Sequence, residues 1–191
     1  MGTCGETSWF YCDPPRTGTK WFAVHVRARY EKFVGDMLVE KGYQTFVPLY
    51  PHPRHYAHCI KRSYLPVFPG YLFARFDASN RLPILITPGV ISLLGAGKIP
   101  QPVDDTEIFS LQRAAEARYE ITPCPYWKSG ETGRVTKGPL AGLEGVVMQC
   151  KRSFRLVLSV TLLQRSVMLE IDSGSVEIFA PNRNLNASKI H

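Results

Sequence analysis

From Lys20 onward, apolar and polar positions follow regular periods. In Trp21 to Arg27, Phe22, Val24 and Val26 share one side, the two-residue period of a half-buried strand. Tyr30, Phe33, Val34, Met37 and Leu38 then recur at helical spacing, and Gly42 stands where a left-handed residue closes such a helix. Tyr43 to Tyr50 returns to strand character until Pro51 and Pro53 break it. The next segment, His52 to Ser63, is polar, basic and rich in histidine, and reads as an exposed loop. Leu65 to Phe76 reads as one long strand interrupted at Pro66 and at Pro69-Gly70. Parity puts Leu72, Ala74 and Phe76 on one face and Tyr71, Phe73 and Arg75 on the other. The charge of Arg75 marks the second face as the wetter one, so two large aromatics are expected to face solvent.

Ser79 to Ile86 predicts a short helix and Val90 to Leu94 a strand closed by Gly95 and Gly97. Asp104 with Glu107 three residues later is a capping-box-like start, and Ile108, Leu111 and Ala115 carry that helix to about Tyr119. These elements predict an α+β sandwich, with helices against a mainly antiparallel sheet. Ile121 to Gly130 contains Pro123, Pro125, Ser129 and Gly130 and breaks the periodicity, as a linker does. Beyond it come short β runs near 134–137, 145–150, 154–161, 165–171 and 176–179, joined by tight turns. They predict a small, strongly bent all-β barrel. The expected organisation is a flexible leader at 1–19, a first domain at 20–119, a linker at 120–129, a barrel at 130–180 and a polar tail at 181–191. Trp9, Phe10 and Tyr11 form an apolar spot within the leader.

Composition narrows the classes. The 191 residues are 45% apolar and 12% aromatic, enough for a sizeable core and too few residues for two large domains. Lys and Arg number 23 against 16 Asp and Glu, a net charge of +7 that favours polyanionic partners or an acidic protein surface without deciding between them. Residues 20–68 hold eight of the basic and three of the acidic side chains, so the excess concentrates in the first domain. No apolar run approaches the roughly 18 residues of a spanning helix, and Met1 to Lys20 lacks the basic start and apolar stretch of a secretory signal. Cys4, Cys12, Cys59, Cys124 and Cys150 are scattered and never spaced C-x-x-C, so neither a disulfide framework nor a four-Cys zinc site is expected and the cytoplasm is the default location. His52, His55, His58 and Cys59 do not converge as metal ligands at their spacing in a Pro-containing loop. His25 reads as a structural or surface residue. There is no nucleophile motif, no G-x-x-x-x-G-K and no identifiable carboxylate pair, so no enzyme and no cofactor is expected.

The most specific motif opens the barrel: Arg134-Val135-Thr136-Lys137-Gly138-Pro139-Leu140-Ala141-Gly142-Leu143-Glu144-Gly145-Val146-Val147. Gly138-Pro139 and Gly142 punctuate a tight loop, and Gly145 lets the second strand bend. The stretch resembles the KOW motif of ribosomal proteins and NusG-type transcription factors, which sits on an SH3-like barrel. Independently, Trp21-Phe22-Ala23-Val24-His25 with Tyr30-Glu31-Lys32 resembles the opening of a NusG amino-terminal (NGN) domain. So do Phe46-Val47-Pro48, Leu65-Pro66-Val67-Phe68-Pro69-Gly70-Tyr71-Leu72-Phe73, and Thr87-Pro88-Gly89-Val90 followed by Gly95. The resemblance covers about residues 20 to 180, in order.

It implies a bacterial elongation or antitermination factor that binds the clamp helices of RNA polymerase through an apolar surface of the first domain and suppresses pausing or termination. Carried over by position, that surface comprises Phe68, Tyr71, Phe73 and Leu93, the last of which departs from an aromatic in the family. Without the resemblance, Tyr71 and Phe73 read first as residues packed under a local helix. Arg54, His55, His58, Lys61 and Arg62, interleaved with Tyr56 and Tyr64, suit phosphate contacts and base stacking. The resemblance turns that loop toward upstream or non-template DNA; the plain reading is a solvated loop.

In the barrel, Leu162, Leu163 and Arg165 occupy the place where the general factor contacts ribosomal protein S10 or the terminator Rho. Leu163 replaces an aromatic there, which argues against Rho and leaves S10 as a candidate partner. Leu162-Leu163-Gln164-Arg165-Ser166-Val167 followed by Glu170-Ile171-Asp172 is more similar to specialised paralogues of the UpxY/RfaH group. Asn80, Arg81 and Leu82 do not reproduce the polymerase gate-loop contact of RfaH. The competing reading is a KOW-type RNA- or ribosome-binding module with no polymerase role.

Overall fold

The computed structural model describes residues 18–56, 59–97, 99–117, 119, 121–126, 131–149 and 154–178. The expected leader up to residue 17 and the expected tail from 181 onward lie outside them. Strand β1 (Lys20–Val26) forms where the alternation predicts it and is followed by α1 (Glu31–Glu40). Gly42 closes α1 with φ +82, and the Tyr43 and Gly42 amides donate to the Leu38 and Val39 carbonyls at 3.0 and 2.8 Å. After β2 (Gln44–Phe46) comes a departure from expectation. The segment read as a loop is a two-stranded ribbon, β3 (Leu49–Tyr56) against β4 (Cys59–Pro66). Polar composition suggested a loop, but a ribbon outside the main sheet needs no apolar face. Its free edges also accept Pro51 and Pro53, whose missing N–H groups would break a central strand.

Strand β5 (Tyr71–Phe76) precedes a short 3₁₀ turn, Ala78–Asn80, then α2 (Leu82–Leu85) and β6 (Val90–Leu93). The first sheet runs β2-β5-β1-β6, antiparallel throughout. On one face Phe22, Val24, Leu72, Ala74 and Phe76 bury against Val34 and Leu38 of α1 and Ile84 of α2, a core closed by neighbours in sequence. The minimal pair β7 (Gly95–Ala96) and β8 (Ile99–Pro100) leads to α3 (Asp105–Glu116), capped by Asp104, whose side chain accepts from the Thr106 amide at 2.8 Å.

The second sheet is all β: β9 (Ile121–Pro125), β10 (Glu131–Val135), β11 (Glu144–Gln149), β12 (Phe154–Val160), β13 (Arg165–Ile171) and β14 (Val176–Ile178). They run in the order β14-β10-β11-β12-β13-β9. Strand β9 lies inside the segment expected as a linker and extends the sheet beyond β13, despite its two prolines. The motif loop behaves as its glycines require: Gly138 and Gly142 have φ +82 and +90, and a Cβ on Gly145 would stand 2.7 Å from the Val157 carbonyl oxygen. The fold is the expected one: an α+β sandwich of NGN type followed by a small all-β unit. Among the described residues no helix is long and apolar enough to cross a membrane.

The two sheets share a core. Trp21, Ala23, Phe46 and Phe73 from the far face of the first sheet join Ile108, Leu111 and Ala114 of α3. The same cluster continues into Ile121, Leu158, Val167 and Leu169 of the second sheet and Leu140 of the loop between β10 and β11.

Candidate functional site

The site is that far face, and a turn sets its edge. The Tyr71 amide donates to the Phe68 carbonyl at 3.0 Å across Pro69-Gly70, and Gly70 has φ +83. Proline first and a positive-φ glycine second is the chemistry of a type II turn. Glu31, 2% exposed in the first turn of α1, accepts from the Gly70 amide at 2.7 Å and ties the turn to the helix. The turn leads directly into β5, where the ring of Phe73 meets Phe68 edge-on at 5.8 Å and Phe46 nearly parallel at 6.1 Å. Tyr71 stacks on His25 at 5.0 Å, which gives His25 a structural role.

Parity assigned these side chains to the right face, but the expectation that the face is wet is overturned. Phe73 is 0% and Phe68 1% exposed, and Tyr71 is half-buried. Alternation specifies which residues share a face, not what lies over it. Here α3 and the second sheet lie over it. Arg75 keeps its charge at the rim, 4.0 Å from the Asp105 carboxylate of α3.

The structure brings together Phe68, Tyr71 and Phe73 but not Leu93. Leu93 pairs with Val24 and packs on the α1 side of the sheet. The residue meeting the Phe73 core is its neighbour Leu94, whose amide donates to the Ala23 carbonyl at 2.9 Å. Leu93 was named by its place in the family resemblance, and residue type does not distinguish it from the adjacent Leu94.

The residues read as the barrel's own contact surface face the same place. Leu162 and Leu163 sit in the 3₁₀ turn Thr161–Leu163, packed against the shared core, and the Arg165 guanidinium lies 5.8 Å from the centroid of the Tyr71 ring. Two side chains of α3 fasten the arrangement. The Glu107 carboxylate accepts from the Thr161 amide at 3.1 Å and from its hydroxyl at 2.7 Å, instead of closing a box on its own helix. Arg113 donates to the carbonyls of Pro139 and Ala141 in the motif loop. Both contacts were invisible to pattern reading, because each joins residues at least 26 positions apart.

A groove of about 310 Å³ remains between the halves, lined by Val67, Phe68 and Pro69, by Pro123, Cys124 and Pro125 of β9, and by Arg165 and Ser166. Burial pushes the Cys124 thiol above its ordinary value. Hydrogen bonds from the Thr106 hydroxyl and then its amide hold Asp104 below the usual carboxylate range.

Of the basic residues, Arg54, His55, Lys61 and Arg62 belong to the β3–β4 ribbon, with Arg54 opposite Lys61 and Pro53 opposite Arg62. His58 lies outside the described residues. Tyr64 is exposed beside them on β4.

Comparison with known proteins agrees with this architecture. A family model described as "NusG: Transcription termination factor nusG" matches residues 19–112. The transcription termination/antitermination protein NusG of Pseudomonas aeruginosa is 27% identical over 172 residues, 83% of this chain and 97% of that protein. The NusG of Yersinia pestis is 30% identical over 123 residues, 61% of this chain and 67% of that protein. A solved structure titled "Domain interaction in Thermotoga maritima NusG" aligns over 83% of this chain and 96% of its own, with a TM-score of 0.52 and 20% identity, a likeness of fold.

Proposed function

This chain belongs to the NusG family of transcription termination/antitermination factors, and from that premise we propose that it binds the clamp helices of bacterial RNA polymerase and suppresses pausing or termination. The contact surface is Phe68, Tyr71 and Phe73. The observation that supports the reading most is the aromatic sheet face itself: three rings and their neighbours held by a stiff turn, covered by α3 and by the distant second sheet. We take residues 20–119 and 130–180 as two units. The conformation described is then a closed one, in which the barrel covers the face that polymerase would use.

Binding energy shifts the population toward the open form, a mechanism that needs no catalysis. Opening frees Leu162, Leu163 and Arg165 for a further partner, of which ribosomal protein S10 is the candidate. Arg54, His55, Lys61 and Arg62 of the β3–β4 ribbon, with His58 of the same stretch of sequence, are the residues for upstream or non-template DNA.

The test is a pull-down with purified bacterial polymerase. Glu107→Ala with Arg113→Ala removes both fastenings and should raise capture. Added in that open background, Tyr71→Ala with Phe73→Leu should cost about 2 kcal/mol of binding. Leucine is used at Phe73 because truncation to alanine in a full core costs about 3–5 kcal/mol of stability. Capture unaffected by the Tyr71 and Phe73 pair would overturn the surface named here.

A further inference from the structure

The second sheet ends in a strand that comes from the segment expected as a linker. Strand β9 pairs with β13 in the register Ile121↔Leu169, Thr122↔Met168, Pro123↔Val167, Cys124↔Ser166 and Pro125↔Arg165. On its other side β13 pairs with β12, Val167 opposite Leu158 and Leu169 opposite Leu156. In an antiparallel ladder, successive residues turn their N–H and C=O groups to opposite sides. Val157 turns its carbonyl toward Gly145 of β11, so Leu156 and Leu158 turn toward β13, and Val167 and Leu169 answer them. Ser166 and Met168 therefore direct their backbone groups to β9, where Thr122 and Cys124 meet them.

Ile121, Pro123 and Pro125 have the other parity and turn outward. Two of the three have no N–H to offer, so the outer edge of β9 cannot template another strand. Beneath it, β13 reads Arg-Ser-Val-Met-Leu-Glu-Ile, with no proline and no such protection. The protective strand is also lightly anchored. Ile121 is its one buried residue, Cys124 is half-buried, and Thr122, Pro123 and Pro125 are exposed.

We propose that the outer edge of β13 is a strand-acceptor site, filled here by the chain's own β9 and open, once β9 leaves, to an extended segment of a partner protein. The partner strand needs free N–H groups at the two positions facing Ser166 and Met168, an apolar side chain opposite Leu169 and no charge opposite Val167. Main-chain bonds supply affinity, and the buried position opposite Leu169 supplies selectivity. The tethered β9 competes at an effective concentration on the order of millimolar, so an untethered strand is kept out until β9 is displaced. The proposal is independent of the polymerase reading, and no polymerase enters its test.

The probe is a fluorescein-labelled peptide with the sequence of residues 119–126 and serine in place of cysteine, added to the full-length chain. Two variants loosen β9: Thr122→Pro, which withdraws an inward N–H at an exposed position, and Ile121→Asp, which removes the buried anchor. Anisotropy should show each variant binding the peptide at least ten-fold more tightly than the wild-type chain. Amide exchange at Ser166 and Met168 should speed up in the variants and slow again when peptide is added. A peptide N-methylated at the two inward positions should not bind. Absence of binding to both variants while β10–β12 keep their amide protection would overturn the proposal, as would equal binding of the N-methylated peptide. Loss of β10–β12 protection in both variants would overturn it too, by showing β9 to be an integral strand and not a removable occupant.

Discussion

The two faces of the first sheet are made of similar residues and covered in different ways. One face, with Leu72, Ala74 and Phe76, is closed by α1 and α2, helices inserted between the strands of the same sheet. The other, with Trp21, Ala23 and Phe73, is closed by α3 and by strands from the opposite end of the chain. A face covered by its own neighbours is part of the unit's stability. A face covered from afar depends on elements outside its own sheet, joined to it by a shared apolar core and by the polar contacts of Glu107 and Arg113, and under the proposed opening it is the face that is exposed.

That contrast can be broken by substitution. The largest effect is expected at Leu72→Ala, which should lower the denaturation free energy by about 2–5 kcal/mol and shift a single unfolding transition. Leu163→Asp, on the face covered from afar, should instead separate the unfolding of the two halves and move tryptophan emission to the red. A Trp21→Phe background should remove that shift, since Trp21 is buried on this face. Glu107→Gln weakens a bond at an exposed rim and should cost the closed form about 1 kcal/mol, read as faster amide exchange at Thr161.

The smallest effects concern two carboxylates. Asp104 titrates below its ordinary value, so its contribution to stability is present above that value and lost as pH falls through the lowered one. Asp104→Ala should therefore cost about 1 kcal/mol at neutral pH, and the difference from wild type should shrink in acid. Asp36 behaves oppositely: burial and then the charge of Glu40 raise its value, so its ionisation weakens the fold as pH rises past the ordinary carboxylate range. Asp36→Asn should slightly stabilise the chain at neutral pH and make no difference in acid, both read by urea denaturation.

What the sequence made legible follows the same division. The two-residue period identified which side chains of β5 belong together, the Pro-Gly pair marked the turn that aims Phe68 and Tyr71, and Asp104 marked the start of α3. These depend on residues within a few positions of one another. The ribbon at 49–66 was hidden because its sequence is polar and holds prolines, and hydrophobic periodicity reports burial rather than hydrogen bonding. Strand β9 was hidden because its prolines read as breakers, although at an edge with outward parity they break nothing. Leu93 was misplaced because it was carried over by position from the family, and its own strand turns it to the α1 side. The cover over Phe73 was hidden because it depends on residues such as Leu140 and Val167, whose patterns describe only their own sheet.

Glu107 gives the closed form one further property. It stands three residues after the cap of α3, where a carboxylate can reach back to the Asp104 amide, and in the closed form it is lent to Thr161 instead. When the barrel departs, the carboxylate has a second home on its own helix. The departure proposed above therefore trades one set of donors for another and leaves no stranded charge, so what a partner has to offset is the apolar contact of the shared core rather than a lost ion.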